Sequence, residues 1–350
     1  MGGHDDFRIG RRRALAVIAG AATLPLLGPA WGRTPRLLEW RGTALGADAT
    51  IRLYGGDEGT AAEALAEASV EIERLENEFS LYRPTSALSR LNRDGRLDDP
   101  SLDMLDLLRL AVRFGDLTEG AFDITVQPLW ELYAAHFSRR PDCFIGPAAA
   151  LVAEAVRRVD YRRIGIQPHR ITLPKGMAIT LNGIGQGYIT DRIADRLRAR
   201  GWSDVLIDLG EQRALGSHPD GRPWTVKLSP VLVPTQALRT LPLADQAIAT
   251  SSGAATRFEP TGRHHHLFSP KTGGSANRYA AITVLASRAA AADALSTALF
   301  VHPDPDGASA ILSNGGGSQA WVAAADGNLH HLRAAKGDGS PLTTSERSPP

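Results

Sequence analysis

Strand-like and helix-like stretches are interleaved along this chain without a regular strand-helix-strand period, and no internal repeat of fixed length is visible. A doubly wound parallel sheet needs that period, so the pattern favours an α+β fold. Ala49 to Tyr54 alternates as a strand does, and Gly55-Gly56-Asp57 closes it. Thr60 is placed to cap a helix from Ala61 to Phe79. In that helix Ala64, Ala68, Ile72, Leu75 and Phe79 recur at helical spacing, and Glu63, Glu67, Glu71 and Glu76 fall on the face expected to be wet. Asp103 to Phe114 reads as a second helix and Pro147 to Val159 as a third, with a loop over Gly115 to Phe122 and a strand-like Asp123 to Val126 between them. Arg170 to Leu173 and Met177 to Leu181 look like paired strands around Pro174-Lys175-Gly176, followed by a helix from Gly187 to Arg200 that Gly201 ends. Val205 to Leu209, Thr225 to Leu228, Gln246 to Thr250 and Ala281 to Leu285 are further strand candidates.

A chain of 350 residues with 43% apolar content can bury a sizeable core. Its formal charge of +1 gives no electrostatic reason to expect nucleic acid or a membrane surface as partner. Arg11 to Arg13 precede an apolar stretch, Ala14 to Leu27, and Ala30-Trp31-Gly32 follows as a small-x-small cleavage site. That stretch is short for a bilayer span, and the arginines resemble a twin-arginine export signal over residues 1 to 32, so a periplasmic protein without stable membrane insertion is expected. The single cysteine, Cys143, excludes an intrachain disulfide, leaving the core to stabilise the exported protein. Residues 336 to 350 are rich in Gly, Ser, Thr and Pro and read as a disordered tail, which leaves one catalytic unit over residues 37 to 335.

Three segments could carry chemistry. Asn182-Gly183-Ile184-Gly185-Gln186-Gly187-Tyr188 lies between a strand candidate and a helix, where missing side chains let backbone approach a phosphate and helix N-terminal amides face an anion. Its spacing fits neither the dinucleotide fingerprint nor the P-loop, and alone it is equally compatible with a tight turn that binds nothing. Asp293 and Thr297 stand four residues apart in an alanine-rich helical stretch, so two oxygen donors suited to Mg²⁺ share one face; a capping Asp and a self-bonding Thr would give the same spacing. Of His264, His265 and His266, three neighbours that cannot all face one ion, His266 is best placed to face a site, ahead of Leu267-Phe268-Ser269-Pro270 and the turn Lys271 to Gly274.

Taken in order, these segments resemble the ApbE family of FAD:protein FMN transferases. The likeness runs through Gly42 to Gly46, Phe79 to Asn92, Thr118 to Leu129, Leu181 to Asp191, Asp208-Leu-Gly210, Thr250 to Gly253, His266 to Gly273 and Asp293 to Thr297. It implies an ApbE-like fold of mixed or antiparallel sheets with packed helices. It also implies an FAD pocket lined by Leu45, Tyr82, Ala121, Phe122, Asp123, Thr180, Gln186 and Phe268, and a Mg²⁺ site formed by Asp293, Thr297 and the Gly183 carbonyl. The implied reaction passes FMN from FAD to a threonine hydroxyl of an acceptor flavoprotein as a phosphoester and releases AMP. Such a reaction needs in-line attack at phosphorus, a cation on the phosphate oxygens and a base for the hydroxyl proton.

At the base the chain departs from the family, which usually has Asp where Thr180 stands and Lys or Glu where Gln186 stands. Thr180 cannot serve as a base near neutral pH, which leaves His266, a purely supporting role for the missing carboxylate, or slow transfer. Hydrolysis of FAD to FMN and AMP, or flavin binding without turnover in a periplasmic maturation protein, are the competing readings. Asn182 to Tyr188, together with Asp208-Leu-Gly-Glu211 and the stretch to Trp224, further resembles the NosX-like branch associated with nitrous-oxide respiration, whose implied acceptor is a membrane-bound electron-transfer protein of the NosR type.

Overall fold

The computed structural model describes residues 36–140, 142–227, 240–302, 307–326, 328–334 and 343–345. The segment read as an export signal lies outside the described residues. In chain order, β1 (Leu37–Ala44) and β2 (Ala47–Tyr54) form a hairpin, followed by α1 (Glu58–Phe79), α2 (Ala87–Asp94), β3 (Arg96–Asp98), α3 (Leu102–Leu117), α4 (Gln127–Ser138) and α5 (Ala149–Val156). Next come β4 (Gly165–Gln167), β5 (Arg170–Thr172), α6 (Gly185–Ala199), β6 (Val205–Asp208), β7 (Gln212–Leu215), β8 (Trp224–Lys227) and β9 (Thr240–Leu243). The described chain ends with β10 (Ala247–Ser252), β11 (Tyr279–Ala286), α7 (Ala289–Val301), α8 (Ala308–Asn314), β12 (Gly317–Ala324), β13 (Leu329–Arg333) and β14 (Thr343–Ser345). Among the described residues no helix is long and apolar enough to cross a membrane.

Among the described residues nine strands form the main sheet in the spatial order β1-β2-β6-β7-β10-β11-β12-β13-β14, and every pairing between them is antiparallel. Successive side chains point to opposite faces, and the burial follows that rule. Val205, Ile207, Ala249, Ile282 and Val284 face the helical layer built largely from α1, α3, α6 and α7, where the main core lies. Leu206, Ile248, Leu285 and Trp321 face the other way and are covered by Trp224, Val226 and Leu243 of the β8–β9 hairpin. Each fully buried Leu or Ile contributes roughly 1.5–3 kcal/mol, so the two-sided burial of this sheet accounts for a large share of the stability. The sequence-based α+β expectation matches this architecture.

Several local expectations are corrected. Asp57, not Thr60, caps α1, because its carboxylate accepts from the Gly59 and Thr60 amides while Thr60 already lies in the first turn. Glu71 and Glu76 are buried, not wet: Glu71 meets Arg74 and Arg196, and Glu76 meets Arg83 and the Leu45 amide. Asp123 to Val126 is no strand; Asp123 caps a 3-10 turn over Ile124–Val126, with its Oδ1 accepting from the Thr125 amide and hydroxyl. Met177 to Leu181 forms no ladder, since the Ile179 amide and carbonyl are satisfied by the Asn92 side chain and the Thr180 amide donates to the Ile124 carbonyl. β5 pairs instead with β3 and β4. Within the expected tail, Thr343–Ser345 pairs with β13, whose edge offers backbone partners that need no apolar signal in the sequence.

Candidate active site

The site is built where α6 and α7 meet. Asp191, nearly two turns into α6, accepts from the Ala289 and Ala290 amides at 2.9 and 3.0 Å and so caps α7 from a neighbouring helix. Arg213 from β7 and Arg288 hold the same carboxylate. Gly187 makes the close approach possible, because a Cβ there would lie 2.4 Å from the Ala289 carbonyl oxygen. The junction fixes α7 in rotation, and two turns of that helix then present Asp293 and Thr297 toward the glycine-rich turn.

Asp293 is buried, and among the described residues its carboxylate accepts one hydrogen bond, from the Gly187 amide at 3.2 Å. Burial pushes its carboxyl up to about 8. Thr297 Oγ1 shares a hydrogen bond with Ser251 Oγ at 3.1 Å, and Ser251 also meets Ser296. Gly183 packs directly on Thr297, since a Cβ at residue 183 would stand 3.0 Å from that hydroxyl and 3.3 Å from the Phe122 ring. A carboxylate, a hydroxyl and a backbone turn thus converge, and hard oxygen donors of this kind fit Mg²⁺ or a similar cation.

These groups line a cavity of about 310 Å³. On its wall lie Leu45, Tyr82, Ala121, Phe122 and Asp123 from the N-terminal half, Thr180, Gly183 and Gln186 from the turn into α6, and His266, Phe268, Asp293 and Thr297 from the rest, the residues that the resemblance implied for the pocket and the metal site together with the expected base. Leu45 sits there in a left-handed conformation, φ +46°, held by the hydrogen bond of 2.5 Å that its backbone amide donates to the buried Glu76 carboxylate. Tyr82 is exposed at the mouth and also borders a larger groove of about 1180 Å³, with Trp130 and Asn182 shared between the two. Phe268 belongs to an aromatic cluster with Tyr133 and Phe258. The Asp123 carboxylate is already committed to the Thr125 and Tyr161 amides, which fixes the wall and leaves it poorly placed to exchange protons.

The three histidines occupy three environments. His264 packs among Tyr133 and Phe137, while His265 is buried against Phe300 with its Nε2 on the Ala276 carbonyl and its Nδ1 accepting from the Leu267 amide. Only His266 lines the cavity among them. Its Nδ1 is 3.2 Å from the Thr256 carbonyl, a bond that requires the proton on Nδ1 and leaves the Nε2 lone pair free; burial lowers the ring's pKa, keeping it neutral near pH 7. The Thr180 hydroxyl accepts from the Asn182 amide at 3.3 Å. Glu211, Thr250 and Ser251 also line the cavity, and no motif in the sequence singled them out as site residues. Among the described residues no Lys or Arg lines it, while three carboxylates, Asp123, Glu211 and Asp293, do.

Residues 45–322 match the sequence profile of the ApbE family. The chain is 28% identical over 300 residues to an FAD:protein FMN transferase of Haemophilus influenzae, covering 81% of this chain and 86% of that protein. It is 30% identical over 249 residues to one of Vibrio cholerae, covering 69% and 74%. Its fold superposes on the flavinyl transferase ApbE of Pseudomonas stutzeri, apo form, with a TM-score of 0.72 and 25% identity, covering 89% of this chain and 95% of that one. With a profile match spanning most of its length and a site assembled from the segments that carried the resemblance, the chain belongs to the ApbE family.

Proposed function

We infer that this chain is an FAD:protein FMN transferase that works with Mg²⁺ on a threonine hydroxyl. One observation carries the reading: among the described residues the cavity that would receive the FAD diphosphate has carboxylates and no Lys or Arg, so a phosphate ligand needs a cation to offset the repulsion. Asp293, Thr297 and the Gly183 carbonyl would hold that cation, which when bound would neutralise charge on the phosphate oxygens. His266 Nε2 takes the proton of the acceptor hydroxyl as its oxygen attacks the FMN phosphorus. A new phosphoester bond forms, the bond to the bridging oxygen breaks, and AMP leaves. Phe122 and Phe268 supply apolar wall for the flavin, and Tyr82 at the mouth is placed to cover it.

The likeness of Asn182 to Tyr188 and Asp208 to Glu211 to the NosX-like branch supports an acceptor of the NosR type, a membrane-bound electron-transfer protein. The arginine run and apolar stretch before residue 32 support action in the periplasm after twin-arginine export. Incubating the protein with FAD, Mg²⁺ and a threonine-bearing acceptor should give a covalently fluorescent acceptor and an equal amount of AMP. AMP release without acceptor labelling would assign FAD hydrolysis instead.

A further inference from the structure

We propose that Glu211 is a second carboxylate ligand of the divalent cation held by Asp293, Thr297 and Gly183. This rests on the cation site of the transferase reading, but not on the acceptor or on turnover. Glu211 belongs to the tight turn between β6 and β7 and lines the same cavity as Asp293. Its backbone is pinned from two sides: its carbonyl accepts from the Leu209 amide at 3.2 Å and from the Thr190 hydroxyl of α6 at 3.4 Å. Gly210, at φ +99°, lets the turn press on α6, for a Cβ there would meet the Gln186 side chain at 2.5 Å. The side chain is therefore carried on a fixed backbone toward the cavity and is not a free surface group.

Neighbouring Asp208 shows what Glu211 lacks. Asp208 is committed to the turn, with one oxygen accepting from the Gly210 amide and the other from the Gln212 side chain at 2.7 Å. The Glu211 carboxylate has the Thr250 amide beside it and no such commitment to its own turn, and among the described residues neither it nor Asp293 is paired with a Lys or Arg. Asp293, buried, and Glu211, half-buried, line one cavity with no basic partner among the described residues, an excess of negative charge that a divalent cation would offset. Mg²⁺ and Mn²⁺ are suited to one or two carboxylates with neutral oxygens completing the shell, which is the set present here.

The test is Mn²⁺ binding to the FAD-free full chain, measured by calorimetry and by loss of the free-ion paramagnetic resonance signal. Glu211→Gln should weaken Mn²⁺ about 10- to 100-fold, and Glu211→Asp should recover part of the loss. In EDTA the Gln variant should melt no lower than wild type, which shows that the loss is not misfolding. Wild-type affinity in Glu211→Gln would overturn the proposal, as would undiminished binding in Asp293→Asn, which would put the cation elsewhere. A Glu211-dependent Mn²⁺ site in a protein that labels no acceptor would uphold the proposal while overturning the transferase reading.

Discussion

Two buried aspartates, Asp191 on α6 and Asp293 on α7, are provided for in opposite ways. Asp191 is held by two arginines and two backbone amides, with the Arg213–Asp191 side chains 4% and 3% exposed. Asp293, equally deep, has one amide and no cation among the described residues. The first arrangement is complete and rigid, and it sets where α7 begins. The second is incomplete in charge, and it faces a cavity. Within a single helix junction the fold thus satisfies one buried acid fully and leaves another open toward a cavity, the pattern expected where one group positions and the other is free to bind.

Exchange at the two positions should therefore damage different properties. Asp293→Asn should lower FMN transfer on the order of 10³-fold while leaving the melting temperature in EDTA unchanged or higher, because Asn keeps the size and the acceptor for the Gly187 amide and removes a buried carboxyl that resists ionisation. Measured flavinylation rates and thermal melts check both halves. His266→Ala should cost about 10²- to 10⁴-fold in rate at unchanged Mn²⁺ affinity. The pH profile gives the sign. Burial lowers the His266 pKa, so the neutral base prevails above the ordinary histidine range; the wild-type rate should be level near pH 7–8, fall as pH drops through the lowered value, and lose that limb in the Ala variant.

Asp191→Ala should instead cost about 3–5 kcal/mol of stability, since Arg213 is left buried without its partner; denaturant unfolding would show it, and a cost well under that would mean water reaches the pair. Smallest is Gly187→Ala, which should cost roughly 1–3 kcal/mol by pushing α6 away from Ala289 and should slow transfer through displacement of Asp293. A neutral Gly187→Ala would show that the junction yields more readily than its close approach implies.

The pieces of the site were legible in sequence where chemistry and local spacing coincide. Asp293 and Thr297 share a helix face whatever the rest of the fold does, and the glycine spacing before Tyr188 marks a turn that backbone must approach closely. What local pattern could not show is where a buried charge finds its partner. Glu71 and Glu76 look wet on a helical wheel, yet their partners Arg196 and the Leu45 amide come from distant elements. Met177 to Leu181 alternates as a strand does, but the Asn92 side chain takes the hydrogen bonds that a neighbouring strand would have made. Asp123 precedes β-branched residues, and its own carboxylate wins the Thr125 amide for a tight turn. Glu211 stood in a short turn with no spacing rule to single it out, and only the packing of β6 and β7 against α6 brings it to the cavity.

The central claim is most directly tested by mass spectrometry of a threonine-bearing acceptor after incubation with this protein and FAD, with Mg²⁺ or with EDTA. The account predicts a threonine carrying FMN as a phosphoester, matched by AMP, in Mg²⁺ and none in EDTA. Equal labelling in EDTA, or AMP formed over an unmodified acceptor, would contradict it.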